Sequence, residues 1–148
     1  MVLQSTFLVG PGSSIQSLAD VDKPGVRIVG VDGTATTRAA AAWLKNVTMT
    51  NVKGPDELFE LLKSGKADAI ALARESLVGL APKLPGSRVL PGAFLNSFVA
   101  VAVPKNKPAA LAYASAFVEE AKASGLVRRA LDSLGMQSST VAEAGAKP

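Results

Sequence analysis

The run Val26-Arg27-Ile28-Val29-Gly30-Val31-Asp32-Gly33-Thr34-Ala35-Thr36-Thr37 decides the fold. Its first half is mostly apolar and β-branched, which predicts a strand covered on both faces, as parallel strands are. Gly33 marks a turn. Beyond it, residues 38–44 are four alanines with Arg38, Trp43 and Leu44, a helix of strong propensity whose small side chains let it lie close to a sheet. A strand that passes through a glycine turn into a helix leaves the first helical N–H groups without intrahelical partners, outward-facing and partly positive. Such a turn seats a carboxylate or another small anion. The same residues also fit a plainer use, with Thr34 or Thr36 as the helix N-cap and Gly33 permitting the bend.

Outward from this turn, strands and helices alternate at short intervals. Thr6 to Val9 reads as a short strand stopped by Gly10-Pro11-Gly12-Ser13-Ser14, and Ile15 to Val21 as a brief helical stretch. Val47 to Val52 alternates apolar and polar residues, as a sheet edge does. Gly54-Pro55-Asp56 opens a helix with proline at its start and Asp56 and Glu57 in the first turn; Leu58, Phe59, Leu61 and Leu62 form its buried face and Gly65 stops it. Residues 68–73 are a second buried strand, and a short helix follows near Ser76 to Leu80. The string Phe98-Val99-Ala100-Val101-Ala102-Val103 is the most β-prone of the chain. Helices are expected over Pro108 to Ser124 and Leu126 to Leu134, each followed by a glycine stop, and residues 136–148 are expected to be a disordered tail. The alternation predicts an α/β fold, a three-layer, doubly wound, mainly parallel sheet. One lobe is expected over residues 1–135 with its core over about 24–103. In such sheets ligands collect at the carboxyl ends of strands, here Asp32-Gly33-Thr34 and Ala73-Arg74-Glu75, which would face one crevice.

Composition narrows the function classes. A chain of 148 residues can bury roughly 68–70% of its unfolded surface in one domain. No apolar run reaches the roughly 18–20 residues that cross a bilayer, and the first residues do not have the pattern of a signal peptide. There is no cysteine and no histidine, which removes disulfides, thiolate nucleophiles, the commonest general base and the commonest transition-metal ligands. No cofactor and no metal are expected, and with no paired acidic motif the chain reads as non-catalytic. The net charge is +4, but the basic residues are scattered and the few aromatics sit inside apolar patterns, so nucleic acid is not an expected partner.

Five strings carry a resemblance: residues 12–20, Val29-Gly30-Val31-Asp32-Gly33-Thr34, residues 63–69, Val101-Ala102-Val103-Pro104-Lys105 and Ala123-Ser124-Gly125-Leu126. In this order, over roughly residues 5–135, they resemble the second lobe of the type II periplasmic solute-binding proteins of ABC importers, the extracellular solute-binding protein family 3. The resemblance implies non-catalytic binding of a small solute, a periplasmic location and work with importer membrane subunits. It implies that Asp32, Gly33, Thr34, Ala35 and Thr36 form the turn that meets the solute's carboxylate. The family's acidic residue for a ligand ammonium falls here on Ala73, with Arg74 next to it. A buried ammonium would lack a counter-charge there, so the expected solute is anionic, a carboxylate, phosphonate or sulfonate, with Arg74 as its fork-shaped partner. The resemblance further implies a first lobe outside this sequence, against which the helix from Pro108 would pack. Its wide apolar face predicts self-association through Leu111, Phe117 and Val118. The alternative is a truncated or split product that folds and assembles without binding a solute.

Overall fold

The structure, a computed structural model, describes residues 1–137 and 139–146. It divides into two compact units, Gln4–Asn96 and a second made of Met1–Leu3 with the residues from Ser97 onward.

The elements are β1 (Val2–Val9), α1 (Leu18–Val21), β2 (Ile28–Val31), α2 (Ala35–Trp43), β3 (Met49–Val52), α3 (Pro55–Lys63), β4 (Ala69–Ala73), α4 (Arg74–Leu80), β5 (Arg88–Val89), β6 (Leu95–Phe98), α5 (Pro108–Ala123) and α6 (Leu126–Ser133). The sheet runs β3-β2-β4-β1-β5, with β6 also paired to β1. β2 is parallel to both β3 and β4, and β1 is antiparallel to β4 and β5. The expected edge strand is the edge: β3 leaves Thr50 and Asn51 exposed.

In the larger unit, alternation along each strand divides the core in two. Phe7, Val9, Ile28, Ala69 and Ala71 face α1 and α2, where Phe7 stacks against Phe94 at 4.7 Å and Trp43 at 6.1 Å. Leu8, Val29 and Ile70 face α3 and α4, against Leu58, Leu62 and Leu77. A period of two that buries both faces is what a covered strand requires, and each fully buried Leu, Ile or Phe contributes about 1.5–3 kcal/mol. Gly30 sets how close α2 comes: a Cβ there would lie 2.6 Å from Thr37 Oγ1 and 2.8 Å from Met49 Cε. At its other end α2 is anchored by the Asp22 carboxylate, which accepts from the Lys45 and Asn46 N–H groups at 2.9 and 2.8 Å.

In the smaller unit α5 and α6 are joined at Gly125, whose φ of +74° suits glycine. The Arg128 guanidinium donates to the carbonyls of Ser139 (2.6 Å) and Met136 (2.9 Å), and the Val2 N–H donates to the Thr140 carbonyl (2.8 Å). These bonds hold a stretch expected to lack structure; Ser138, Lys147 and Pro148 of that tail lie outside the described residues. The strand expected over 98–103 is also corrected, because β6 ends at Phe98. Propensity alone does not make a strand where no neighbouring ladder continues, and Val99 and Val101 stay exposed.

Candidate functional site

The turn after β2 is built by local bonds. The Asp32 N–H donates to the Val52 carbonyl at 2.8 Å, which ties the turn to the end of β3. Gly33 then takes φ +70°, a conformation that favours glycine, and the Arg38 guanidinium donates to its carbonyl at 2.8 Å. Thr34 is the N-cap of α2: its hydroxyl oxygen accepts from the Thr37 N–H at 3.1 Å and sits 2.9 Å from Thr37 Oγ1. Thr37 Oγ1 in turn donates to the Val31 carbonyl at 2.7 Å. The plainer use of Thr34 is therefore present in the structure, and its hydroxyl is turned inward. The backbone donors of Ala35 and Thr36, at the first two positions of α2, have no acceptor within the helix.

The second turn lies beside the first because β4 pairs with β2. Ala73 closes β4 opposite Ser5 of β1, and Arg74 opens α4. The half-buried Arg74 guanidinium donates through Nε to Gln4 Oε1 at 3.0 Å, through Nη1 to the Leu90 carbonyl at 3.4 Å and through Nη2 to the Gly92 carbonyl. Two of its five N–H donors are left for anything else. Thr36 Oγ1 lies 3.2 Å from Ser5 Oγ. Neighbouring residues of β1, Gln4 and Ser5, thus touch Arg74 and Thr36 respectively, so each turn is tied to β1.

Sequence reasoning missed Gln4 and Ser5. The signal was a polar triplet, Gln4-Ser5-Thr6, at the head of an apolar run, with Thr6 fully buried and its hydroxyl donating to the Leu90 carbonyl at 3.2 Å.

Two open grooves flank the turns. One of about 600 Å³ is lined by Asp32, Asn51, Val52, Lys53 and Glu57. The other, of about 580 Å³, runs between α3 and α4 past Thr34, Asp56, Leu72, Ser76 and Lys83. A recess of about 630 Å³ lies at the opposite ends of these strands, past Gly10–Ile15, Arg27 and Asp68. There the Asp68 carboxylate accepts from the Arg27 N–H (2.8 Å), Nε (3.0 Å) and Nη2 (2.6 Å). The hydrogen bond from the Arg27 side chain holds the Asp68 carboxyl below the usual carboxylate range. Asp68 is a structural anion that braces the start of β4 against β2. Among the described residues no group of acidic side chains is placed to hold a metal ion.

No protein-family model matches the chain, and no curated protein matches it in sequence. Solved structures do match. A putative binding component of an ABC transporter from Wolinella succinogenes, complexed with lysine, is 21% identical with a TM-score of 0.71, over 89% of this chain and 58% of that one. A mutant of ArgBP from T. maritima is 18% identical with a TM-score of 0.64, over 90% and 58%. An ancestral cyclohexadienyl dehydratase is 23% identical with a TM-score of 0.57, over 90% and 57%. The chain thus spans 57–58% of the length of these proteins. At such identities the likeness shows the fold alone, a mixed α/β lobe of the kind these proteins contain.

Proposed function

We propose that this chain is a non-catalytic solute-binding lobe that takes a small carboxylate-bearing solute at the carboxyl ends of β2 and β4. The observation that carries the reading is the bridge through β1: Ser5 meets Thr36 at 3.2 Å and Gln4 meets Arg74 at 3.0 Å. On this reading the unpaired start of α2 and the remaining Arg74 donors, at the ends of the paired strands β2 and β4, serve one solute. Two backbone N–H groups at a helix start, reinforced by a nearby guanidinium, form a seat for an oxyanion. The neutral side chain of Ala73 favours an anionic solute, a carboxylate, phosphonate or sulfonate, over a cationic one.

A second reading has its own observation. Asp32 and Glu57 line the groove beside the turn, where a zwitterionic solute could set its ammonium while its carboxylate takes the same N–H groups. The lysine complex of the Wolinella succinogenes protein is consistent with this form of the site.

In either form we propose that the chain serves an ABC importer outside the cytoplasm, with the importer's membrane subunits as partners. We also propose that it self-associates through Leu111, Phe117 and Val118 of α5; Leu111 and Phe117 are 55% and 53% exposed.

Ala35→Pro tests the seat. Position 35 is the first residue of α2, where proline fits the helix, and Thr34 before it is already extended at φ −84°, ψ 151°. The substitution removes one donor and leaves the fold. Calorimetry against succinate, methylphosphonate, taurine, lysine and glutamine should find at least one binder, weakened about tenfold or more in Ala35→Pro, in line with a lost charge-assisted hydrogen bond. Equal affinity of both proteins would reject this turn as the site. Silence across the panel from a folded protein would favour a product that assembles without a solute.

A further inference from the structure

We propose that Gln4 sets the charge preference of the Arg74 turn: it holds the guanidinium through a neutral carboxamide oxygen, leaves its positive charge to the solute, and so favours a solute whose negative charge is not balanced by an ammonium of its own. The inference rests on the function proposed above, of which it favours the anionic form.

Both ends of the Gln4 carboxamide are in use. Its Oε1 accepts from Arg74 Nε at 3.0 Å, and its Nε2 donates to Asn96 Oδ1 at 3.3 Å. A guanidinium N–H only donates, so the amide must turn its oxygen toward Arg74. The bond to Asn96 then occupies the nitrogen end, and the acceptor is held in place.

The other described acceptors of Arg74 are the Leu90 and Gly92 carbonyls, so all three are neutral oxygens. Arg27 shows the contrast. Its guanidinium meets the Asp68 carboxylate at 3.0 and 2.6 Å, and the two charges serve each other as a brace. A glutamate at position 4 would offer Arg74 Nε an oxygen on a side chain of the same length, but with a charge that cancels the guanidinium's. Glutamine supplies the geometry without the cancellation. Each terminal nitrogen of Arg74 keeps one N–H, and the unspent charge strengthens any bond these make to an anion. Because Arg74 is half-buried, that attraction is weakened less by water than at an open surface. Of the three acceptors only Gln4 belongs to a side chain, so position 4 is where a substitution changes the charge beside Arg74 and keeps its support.

The test is calorimetry on the wild type, Gln4→Glu and Gln4→Met, with circular dichroism to confirm folding. The panel sets two solutes without an ammonium, succinate and methylphosphonate, against three with one, taurine, lysine and glutamine. The wild type should bind a member of the first group about tenfold or more tighter than any of the second, and Gln4→Glu should shrink that preference about tenfold or more. Gln4→Met deletes the acceptor and adds no charge. It should weaken every solute that binds by about threefold or more, for one lost hydrogen bond, and keep the preference. This split separates the charge at position 4 from a merely structural role. An unchanged preference in folded Gln4→Glu overturns the inference. So does wild-type affinity in Gln4→Met, which decides the matter even where Gln4→Glu does not fold. A wild type that prefers an ammonium-bearing solute, with that binding weakened in Ala35→Pro, overturns this inference and leaves the turn standing as the site. Silence across the panel from a folded wild type overturns both.

Discussion

The Nε of Arg74 donates to the side-chain oxygen of Gln4 across 3.0 Å, a bond between residues 70 positions apart in the chain. Through it the first residue of α4 is tied to β1, and through Leu90 and Gly92 the same guanidinium holds the segment after β5. Arg74→Met keeps the apolar stem and deletes all three bonds. Urea unfolding should show a loss of about 1–3 kcal/mol, since two carbonyls and an amide oxygen lose a charged donor. Arg74→Lys should recover only part of it, because one ammonium cannot reproduce the fork. Unchanged stability in Arg74→Met would show that water replaces the guanidinium at no cost.

Gly30→Ala should destabilise by about 1–3 kcal/mol, the usual cost of overpacking. Its Cβ would meet Thr37 Oγ1 at 2.6 Å and Thr37 Cγ2 at 2.9 Å. Two of the three close contacts are with Thr37, and the third, Met49 Cε at 2.8 Å, is the end of a flexible side chain, so Gly30→Ala with Thr37→Ala should cost clearly less than the two single substitutions added together. Strict additivity in thermal unfolding would place the strain elsewhere.

Thr34→Ala should cost about 1 kcal/mol through the lost N-cap, and Thr34→Ser should be close to wild type. The hydroxyl faces Thr37 rather than the grooves, so we expect solute affinity to follow stability in this pair. A large loss of affinity in Thr34→Ser would mean that its methyl group meets the solute.

The Arg27–Asp68 pair sets a pH dependence. Arg27 lowers the Asp68 carboxyl in the folded state. A depressed carboxylate contributes stability that is present above its unfolded pKa of about 4 and is lost as pH falls through its lower folded value. Asp68→Asn should therefore be less stable than the wild type by a constant margin near neutrality, and the margin should shrink below about pH 4. Denaturant titrations at pH 7, 5 and 3 check this, and a margin that grows toward acid would contradict the pairing.

Much of the larger unit was legible because its signals are local. Pro55, Asp56 and Glu57 open α3 where expected, Gly65 follows its end, and β4 coincides with the apolar run before Arg74. The N-cap role of Thr34 was readable for the same reason. The partners of Arg74 were not, since Gln4, Leu90 and Gly92 are brought to it by the antiparallel placement of β1 between β4 and β5. Nothing in residues 73–75 encodes that placement. The run from Val99 to Val103 misled for the opposite reason: its local preference is strong, but a strand exists only with a neighbour.

The recess at Gly10–Ile15 and the two turns lie at opposite ends of β2 and β4. Ser14 is exposed at that distal end, so a cysteine introduced there would give a unique thiol for attachment to a sensor chip or a dye. Molecules tethered by it would all present the turns at Gly33 and Arg74 to the liquid, in a uniform orientation that random amine coupling through the scattered lysines cannot give.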